Sequence, residues 1–254
     1  MADIEATLST ISKYKARSRS TSKSSHIPLL ASCPTGSPHV VLFGDSMLER
    51  MITTGRSSNL VSAWPSEAMM DDESLTNPRL VNVLNAGVGG DKVQNMAYRL
   101  LGDASQNLPG LASLVANQKS VRLWVVQAGT NNLSPKRGLS DADRDALATM
   151  LRCLLKVEGA PGVRSRILLT GLFPRKDVPR EKVDEANGKL VSVVRELNGE
   201  GTERVVFLPA TEEVQLDEHL VDHVHLNLEG YKLWMKRLFP AVIRVLKEVE
   251  EGSH

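Results

Sequence analysis

An apolar run at residues 39–43 ends in a polar turn that carries a serine, Ser46. The run contains β-branched and aromatic residues, and Gly44 and Asp45 separate it from the serine. This pattern is typical of a buried strand that presents a serine at its carboxyl end, where open α/β sheets bind their ligands. A serine hydroxyl there becomes a nucleophile when a base can take its proton. Ser46 is therefore the candidate nucleophile, although a turn with a helix N-cap explains Gly-Asp-Ser alone equally well.

The candidate base lies near the other end of the chain, where Asp222 and His225 are three residues apart. On a turn or a first helical turn, this spacing lets the carboxylate face the imidazole. The carboxylate would then fix the tautomer of the imidazole and stabilise its protonated form. A single Asp-x-x-His spacing is more often structural than catalytic. It indicates a catalytic pair only in combination with the other polar segments of the chain.

Two further polar segments, 85–91 and 129–132, each follow a strand-like run and offer donors for an oxyanion. Gly90 can bring its backbone N–H close to a ligand because it has no Cβ. Asn131 can donate from its amide, and Ser46 can add its own N–H at a strand-to-helix turn. Together with a nucleophile and a base, these donors complete an acyl-transfer site. The glycines lack the order of a dinucleotide fingerprint or a P-loop, which argues against nucleotide binding.

Strand-like and helix-like segments alternate from residue 38 onward. Most of the strand-like runs are nearly continuously apolar and do not alternate, as expected for parallel strands buried on both faces. The predicted strands are 39–43, 80–84, 121–127, 166–170 and 204–208. The predicted helices are 46–53, 91–102, 140–157, 180–198 and 228–250. This alternation predicts a three-layer α/β/α domain with a flavodoxin-like, five-stranded parallel sheet.

Residues 1–37 differ in composition from the rest of the chain. The stretch 13–23 is basic and rich in serine, without apolar periodicity, and cannot bury enough apolar surface to offset its ordering entropy. We therefore predict a disordered or partly ordered tail over 1–37, with a short helix within 3–13, and a hydrolase-like domain over 38–250. A docking or phosphorylation segment is the functional alternative for the tail.

Residues 54–79 are long for a connection and carry Gly, Pro, Ser and Asn, which indicates an irregular insertion. Trp64, Met69 and Met70 offer apolar anchors, and a surface loop packed on itself is preferred to a lid.

Composition argues against several classes of partner. The net charge is +1, aromatic residues make up 4% of the chain, and no apolar run approaches the roughly 20 residues that span a bilayer. We expect no nucleic-acid partner, no stable membrane insertion and a small-molecule substrate. Cys33 and Cys153 lack metal or redox spacing, which favours two free thiols and a cytoplasmic location.

Other polar residues have structural explanations. His219, His223 and His225 could be combined into a metal site, but no cluster of carboxylates accompanies them, so we expect no metal and no cofactor. Asp45 is expected to orient the serine turn through bonds to the backbone, and Asp91 to cap the second helix of the alternating domain.

Four blocks, in this order along the chain, resemble those of the SGNH (GDSL-type) hydrolase superfamily. They are Gly-Asp-Ser-Met at 44–47, Gly-Val-Gly-Gly-Asp at 87–91, Gly-Thr-Asn-Asn at 129–132 and Asp-His-Val-His-Leu at 222–226. Within the superfamily the chain is most similar to the catalytic subunits of intracellular platelet-activating-factor acetylhydrolase. The flanking segments that carry this closer likeness are 84–85, 98–100, 171–175 and 226–231. The resemblance covers about residues 38–248.

The resemblance implies a serine esterase for short acyl groups, often acetyl, that needs no cofactor and can form a homodimer. The implied roles are a triad of Ser46, Asp222 and His225, an oxyanion hole of Ser46, Gly90 and Asn131, and an acyl pocket of Met47, Thr130 and Val224. A non-catalytic binding or scaffold protein that retains this fold is the alternative from a different class. Covalent labelling by a serine-directed phosphonate distinguishes the two.

Overall fold

Apolar residues fill both faces of the central strands. The computed structural model describes residues 1–34, 36–61, 63–71, 79–199 and 203–251. The strands among these residues are β1 (Val40–Gly44), β2 (Leu60–Val61), β3 (Val83–Gly87), β4 (Gly102–Asp103), β5 (Leu108–Pro109), β6 (Leu123–Gln127), β7 (Arg166–Thr170) and β8 (Val205–Leu208). All residues of β1, β3 and β6 are buried, because helices cover both faces of the sheet.

The main sheet has the strand order β2-β3-β1-β6-β7-β8. β3, β1, β6, β7 and β8 are parallel, and β2 pairs antiparallel with β3 at the edge. Counted along the chain, the five parallel strands have the order 2-1-3-4-5, which is the flavodoxin-like arrangement. The prediction of an α/β/α fold with a five-stranded parallel sheet is therefore confirmed, with one short antiparallel strand added.

Helices pack on the two faces of the sheet. They are α1 (Ala2–Ser9), α2 (Ala16–Thr21), α3 (Ile27–Ser32), α4 (Ser46–Thr53), α5 (Val93–Leu101), α6 (Leu111–Gln118), α7 (Asp141–Lys156), α8 (Arg180–Asn198), α9 (Leu216–His219) and α10 (Leu228–Glu251). A π-helical segment, Ser22–His26, joins α2 to α3. α1, α3, α5, α6, α7 and α8 contribute to one core, and α4 and α10 to the other. Alternate residues of each strand feed the two cores: Val41 and Phe43 point to the first, Val40 and Leu42 to the second.

The second predicted strand was placed three residues too early. β3 covers Val83–Gly87, not 80–84, so the glycine-rich block begins inside the strand. Leu80 instead pairs with Trp64 in an isolated bridge. The parallel register with β1, in which Gly44 lies opposite Gly87, determines where this strand ends.

Part of the N-terminal segment packs on the first core, within the region for which a disordered or partly ordered tail was predicted. Ile4, Leu8 and Leu30 are buried there, and α1 lies within the 3–13 window where a short helix was expected, apart from its first residue. Three apolar side chains and several polar contacts to distant residues, described below, hold this segment. Composition alone does not reveal such contacts.

The insertion at 54–79 makes contacts within itself, such as the hydrogen bond from the Ser66 hydroxyl to the backbone oxygen of Gly55, and it also packs on the domain. Trp64, Met69 and Met70 are buried in the second core, and the Trp64 ring meets the edge of Phe239 on α10 at a centroid distance of 5.9 Å. The apolar anchors were identified correctly, and their packing on the domain adds to the predicted contacts. Residues 62 and 72–78 of the insertion lie outside the described residues.

Within the described ranges, no helix is both long and apolar enough to cross a membrane.

Candidate active site

Ser46 is the first residue of α4, immediately after β1 ends at Gly44. Asp45 is the N-cap: its Oδ1 accepts a hydrogen bond of 2.9 Å from the N–H of Met47. Gly87 at the end of β3 lets α4 come close, since a Cβ there would lie 2.4 Å from the backbone nitrogen of Glu49. The serine is thus held at a tight strand-to-helix turn, with its N–H in the unpaired first turn of the helix.

A continuous hydrogen-bond chain joins Ser46, His225 and Asp222. The Nε2 of His225 lies 2.9 Å from the Oγ of Ser46, and its Nδ1 lies 2.7 Å from the Oδ2 of Asp222. The other carboxylate oxygen of Asp222 accepts from the backbone N–H groups of Val224 and His225 at 2.9 and 2.8 Å. The Asp-x-x-His turn therefore closes on itself and fixes the imidazole between the carboxylate and the serine.

The environment favours a neutral imidazole beside an ionised carboxylate. Burial lowers the pKa of His225, and the hydrogen bond to Asp222 offsets this lowering only in part. Burial acts to raise the pKa of Asp222, but the hydrogen bonds from the backbone and the ring of His225 outweigh it and hold that pKa well below its usual range. A neutral imidazole can accept a proton from the serine hydroxyl.

Arg50 lies beside the hydrogen-bond chain of Ser46, His225 and Asp222, a position that the sequence did not predict. It lies one helical turn after Ser46, and its Nη2 is 3.6 Å from the Oδ2 of Asp222. Its positive charge lowers the pKa of His225 further. Its carboxylate partner is far away along the chain, so no local pattern could have identified it.

Burial raises the pKa of Asp45 to about 7, against the lowering effect of the Met47 N–H. Asp45 orients the serine turn, as predicted, and its carboxylate faces the backbone of α4.

We call residues 88–91 the glycine loop. Gly90 has a φ of +73°, a conformation that few residues other than glycine adopt, and it is exposed. Asp91 does not cap the second helix of the alternating domain, α5, whose N-cap is Lys92. The carboxylate of Asp91 is instead fully buried and accepts a 2.8 Å bond from the Nε of Arg99. Asp91 thus anchors the loop to the core.

Asn131 lies beside the glycine loop. Its Nδ2 donates a 2.9 Å hydrogen bond to the backbone oxygen of Asp91, which fixes the side chain and leaves the second amide hydrogen for a ligand. The neighbouring Asn132 binds the start of α5, which follows this loop, and α7: its Oδ1 accepts from the N–H of Val93, and its Nδ2 donates to Gln94 and Asp143.

The three expected acyl-pocket residues are buried and adjacent in sequence to site residues. Met47 follows Ser46, Thr130 precedes Asn131, and Val224 precedes His225. Tyr231 on α10 donates to the backbone oxygen of Met47 at 2.8 Å, which ties the last helix to the serine turn.

Arg175 also supports the site. Its Nη1 donates to the backbone oxygen of Thr130 at 2.6 Å, and its other nitrogens bind both oxygens of Asp177. Only 11% of the side chain is exposed. Arg175 follows β7 and fixes residues 129–132, which we call the asparagine block.

The three histidines near the C-terminus do not converge. The Nδ1 of His219 accepts from the N–H of Gln215, and His223 lies 3.9 Å from Asp177. In the part of the chain that is described, no group of three or more His, Cys, Asp or Glu side chains is arranged to hold a metal ion.

A model of the GDSL-like lipase/acylhydrolase family matches residues 42–233. The chain is 22% identical over 243 residues to platelet-activating factor acetylhydrolase IB subunit alpha2 of Homo sapiens, covering 90% of this chain and 86% of that protein. It is 24% identical over 229 residues to subunit alpha1 of Rattus norvegicus, covering 88% of this chain and 83% of that protein.

Solved structures of esterases have the same fold. A carbohydrate esterase family 3 protein from Talaromyces cellulolyticus matches with a TM-score of 0.53 and 18% identity, over 83% of this chain and 98% of that chain. A carbohydrate acetylesterase from Sinorhizobium meliloti matches with a TM-score of 0.51 and 16% identity, over 81% of this chain and 98% of that chain.

Proposed function

The chain belongs to the GDSL-like lipase/acylhydrolase family, and from this premise we propose that it is a serine esterase specific for short acyl esters, with acetyl esters preferred. Family membership gives ester hydrolysis as the class of reaction. The serine mechanism is supported most directly by the 2.9 Å contact between His225 Nε2 and Ser46 Oγ, with Asp222 behind the ring.

In the proposed mechanism, the Oγ of Ser46 attacks the carbonyl carbon of the ester while His225 takes the hydroxyl proton. The tetrahedral intermediate collapses to an acyl-enzyme, and His225 gives the proton to the departing alcohol. Water then attacks the acyl group, again with His225 as base, and releases the carboxylic acid and the free serine. Asp222 holds the imidazole in the required tautomer and stabilises its positive charge.

Three donors are proposed to stabilise the oxyanion: the backbone N–H groups of Ser46 and Gly90 and the side-chain amide of Asn131. The arrangement supports this assignment because Asn131 is bonded to the glycine loop next to Gly90. Such donors act on charge that develops only in the transition state, so they raise turnover more than substrate binding.

A preference for acetyl is proposed from the acyl-pocket residues. Met47, Thr130 and Val224 are buried, and their backbones are hydrogen-bonded to Asp45, Arg175 and Asp222, which favours a small, rigid pocket. The experiment is hydrolysis of p-nitrophenyl esters with acyl chains of two to eight carbons. We expect kcat/KM to fall steeply beyond the shortest chains. A rate that rises with chain length would overturn the acetyl preference, and no hydrolysis or phosphonate labelling at any length would favour the scaffold alternative.

The pH dependence provides a prediction from the shifted pKa of His225. Only the neutral imidazole can act as base, and the pKa of His225 is lowered from its ordinary value of 6.5. We therefore expect the fall of kcat/KM for an activated acetyl ester at low pH to be centred below pH 6.5, with a plateau at higher pH. The measurement is kcat/KM between pH 4 and 9, after checking that the protein stays folded.

Two variants test whether the fall in kcat/KM at low pH, the acidic limb of the profile, comes from His225. Arg50→Gln removes a charge that lowers the pKa of His225, so the limb should move to higher pH. Asp45→Asn removes the other group near the serine that titrates close to neutrality and should leave the limb in place. An acidic limb centred at or above pH 6.5 in the wild type would contradict the prediction.

Replacement of Asn131 by alanine is expected to lower kcat by about 10²- to 10³-fold, with a smaller change in KM, because one oxyanion donor is lost. Asn59→Ala is a matched control, since the Asn59 amide also makes one hydrogen bond, to Ser25. Turnover by Asn131→Ala close to that of the control would remove Asn131 from the oxyanion hole.

A further inference from the structure

Residues 13–18 form a strap, called here the N-terminal strap, that crosses the outside of the glycine loop and the start of α5. Its backbone is anchored at Lys13, whose N–H donates to the oxygen of Gln94 at 3.0 Å and whose oxygen accepts from the amide of Asn95 at 3.0 Å. The ring of Tyr14 meets the edge of Tyr98 at a centroid distance of 5.5 Å. These contacts hold the strap directly beside the proposed oxyanion hole.

The ammonium group of Lys15 binds groups on both sides of Gly90, which carries one of the proposed oxyanion donors. Its Nζ donates to the backbone oxygen of Gly89 at 2.9 Å and to the Oδ1 of Asp91 at 3.3 Å, on either side of Gly90. A Cβ placed on Gly90 would lie 2.9 Å from that Nζ, so the ammonium group lies against Gly90 itself. Lys15 therefore restrains the Gly89–Gly90 peptide group, which carries the proposed donor, and the side chain of Asp91.

Asp91 connects this lysine to the rest of the oxyanion site. Its Oδ1 also accepts from the hydroxyl of Ser18 at 2.5 Å, its Oδ2 accepts from Arg99, and its backbone oxygen accepts from Asn131. The strap, the glycine loop and the asparagine block thus form one hydrogen-bond network. A change at Lys15 is transmitted through this network to two of the three proposed oxyanion donors.

The charged groups next to Gly90 also favour a negative charge on a bound ligand. Two cations, Lys15 and Arg99, bind one buried carboxylate, Asp91. The sum of these three charges is positive and lies next to Gly90, where the negative charge of the tetrahedral intermediate would develop. Positive charge fixed beside a partly dehydrated oxyanion stabilises the transition state more than the neutral ester.

We propose that Lys15 is a positioning residue of the oxyanion hole, which orients the Gly90 N–H and supplies a fixed positive charge behind it. The proposal rests on the proposed esterase function and adds a residue from outside the four sequence blocks. It makes the N-terminal strap part of the active-site structure. Arg17 differs from Lys15, because it forms a more exposed ion pair with Glu49 at the surface of α4.

The test compares Lys15→Met, Lys15→Arg and Lys23→Met. Lys15→Met keeps the length of the side chain and removes the charge and the donors, so we expect kcat on an acetyl ester to fall about 10- to 100-fold with KM changed less than about threefold. Lys15→Arg should recover much of the loss. Lys23→Met removes the same charge from an exposed side chain of the π-helical segment, outside the strap, and should retain wild-type kcat.

A double variant separates positioning from folding. If Lys15 acts through the oxyanion hole, Lys15→Met should lower kcat much less in an Asn131→Ala background than in the wild type, because both changes weaken the same network. Lys15→Ala offers a second readout: the Lys15 side chain is 28% exposed, so ethylammonium ions added to the buffer should reach its place and restore part of kcat.

Three outcomes would overturn the proposal. The first is a Lys15→Met protein with wild-type kcat. The second is a lower melting temperature with full kcat in the folded fraction, which would make Lys15 only an anchor of the strap. The third is an equal effect of Lys15→Met in the wild-type and Asn131→Ala backgrounds, without rescue by ethylammonium. A wild-type protein without serine-dependent hydrolysis or phosphonate labelling would overturn the esterase function and this inference together.

Discussion

Ser46→Ala is expected to lower turnover of p-nitrophenyl acetate by about 10⁴- to 10⁶-fold while the protein remains folded. The reason is that no other nucleophile is proposed at the site, so removing the hydroxyl eliminates the acyl-enzyme route. Ser46 is only 6% exposed and its Oγ bonds to His225. Loss of one small hydroxyl at a helix start should change stability little, because the capping bond comes from Asp45.

The matched control is Ser192→Ala, which removes an exposed hydroxyl that bonds only within α8. It should keep full activity and full labelling by a fluorophosphonate, whereas Ser46→Ala should lose both. His225→Ala should cost a similar factor, and the double variant should be little worse than either single one, because the residues act as a unit. Retention of more than about 1% of turnover by Ser46→Ala would rule out Ser46 as the nucleophile.

The largest loss of stability is expected for Arg99→Met. The guanidinium of Arg99 is fully buried, donates to Asp91 at 2.8 Å, to the oxygen of Ala86 at 2.8 Å and to that of Gly44 at 3.0 Å, and packs over the ring of Phe43. It joins the carboxyl ends of β1 and β3 to the glycine loop. Removing it leaves two strand-end carbonyls without this donor and weakens the pairing of a buried carboxylate.

We expect Arg99→Met to lower the free energy of unfolding by about 3–5 kcal/mol in urea denaturation. Arg195→Met on the exposed face of α8 is the control, with an expected change within about 0.5 kcal/mol. Asp91→Asn combined with Arg99→Met should lose less than the sum of the single variants, because the uncompensated charge is then also removed. A loss below about 1 kcal/mol for Arg99→Met would contradict the prediction.

Some features of this molecule can be predicted from sequence because they are local. The runs that form β1, β6 and β7 are continuously apolar, and each is followed by Gly or another turn-forming residue near the end of the strand. The polar segments after these runs meet at one edge because parallel strands all end there. Asp222 and His225 contact each other because they share one turn.

Other features depend on partners far away in the chain. β3 extends to Gly87 because it pairs with β1, although Asn and Gly are poor strand formers. The N-terminal strap is polar, and its order comes from contacts such as that of Lys15 with Asp91, 76 positions later. Arg50 and Arg99 likewise bind a carboxylate or carbonyls outside their own helices. No property of these residues in the sequence alone identifies such partners.

Ser46 and His225 are 179 positions apart along the chain, so the ribosome synthesises them at different times. A ribosome that adds about 5–20 residues per second completes the strap, glycine loop and asparagine block well before it reaches the histidine. For roughly 9 to 36 seconds the nascent chain carries the serine without its base. The proposed reactivity therefore arises only after the segment with His225 has been synthesised and has packed beside Ser46, and a shorter nascent chain is not acylated at Ser46 by this route.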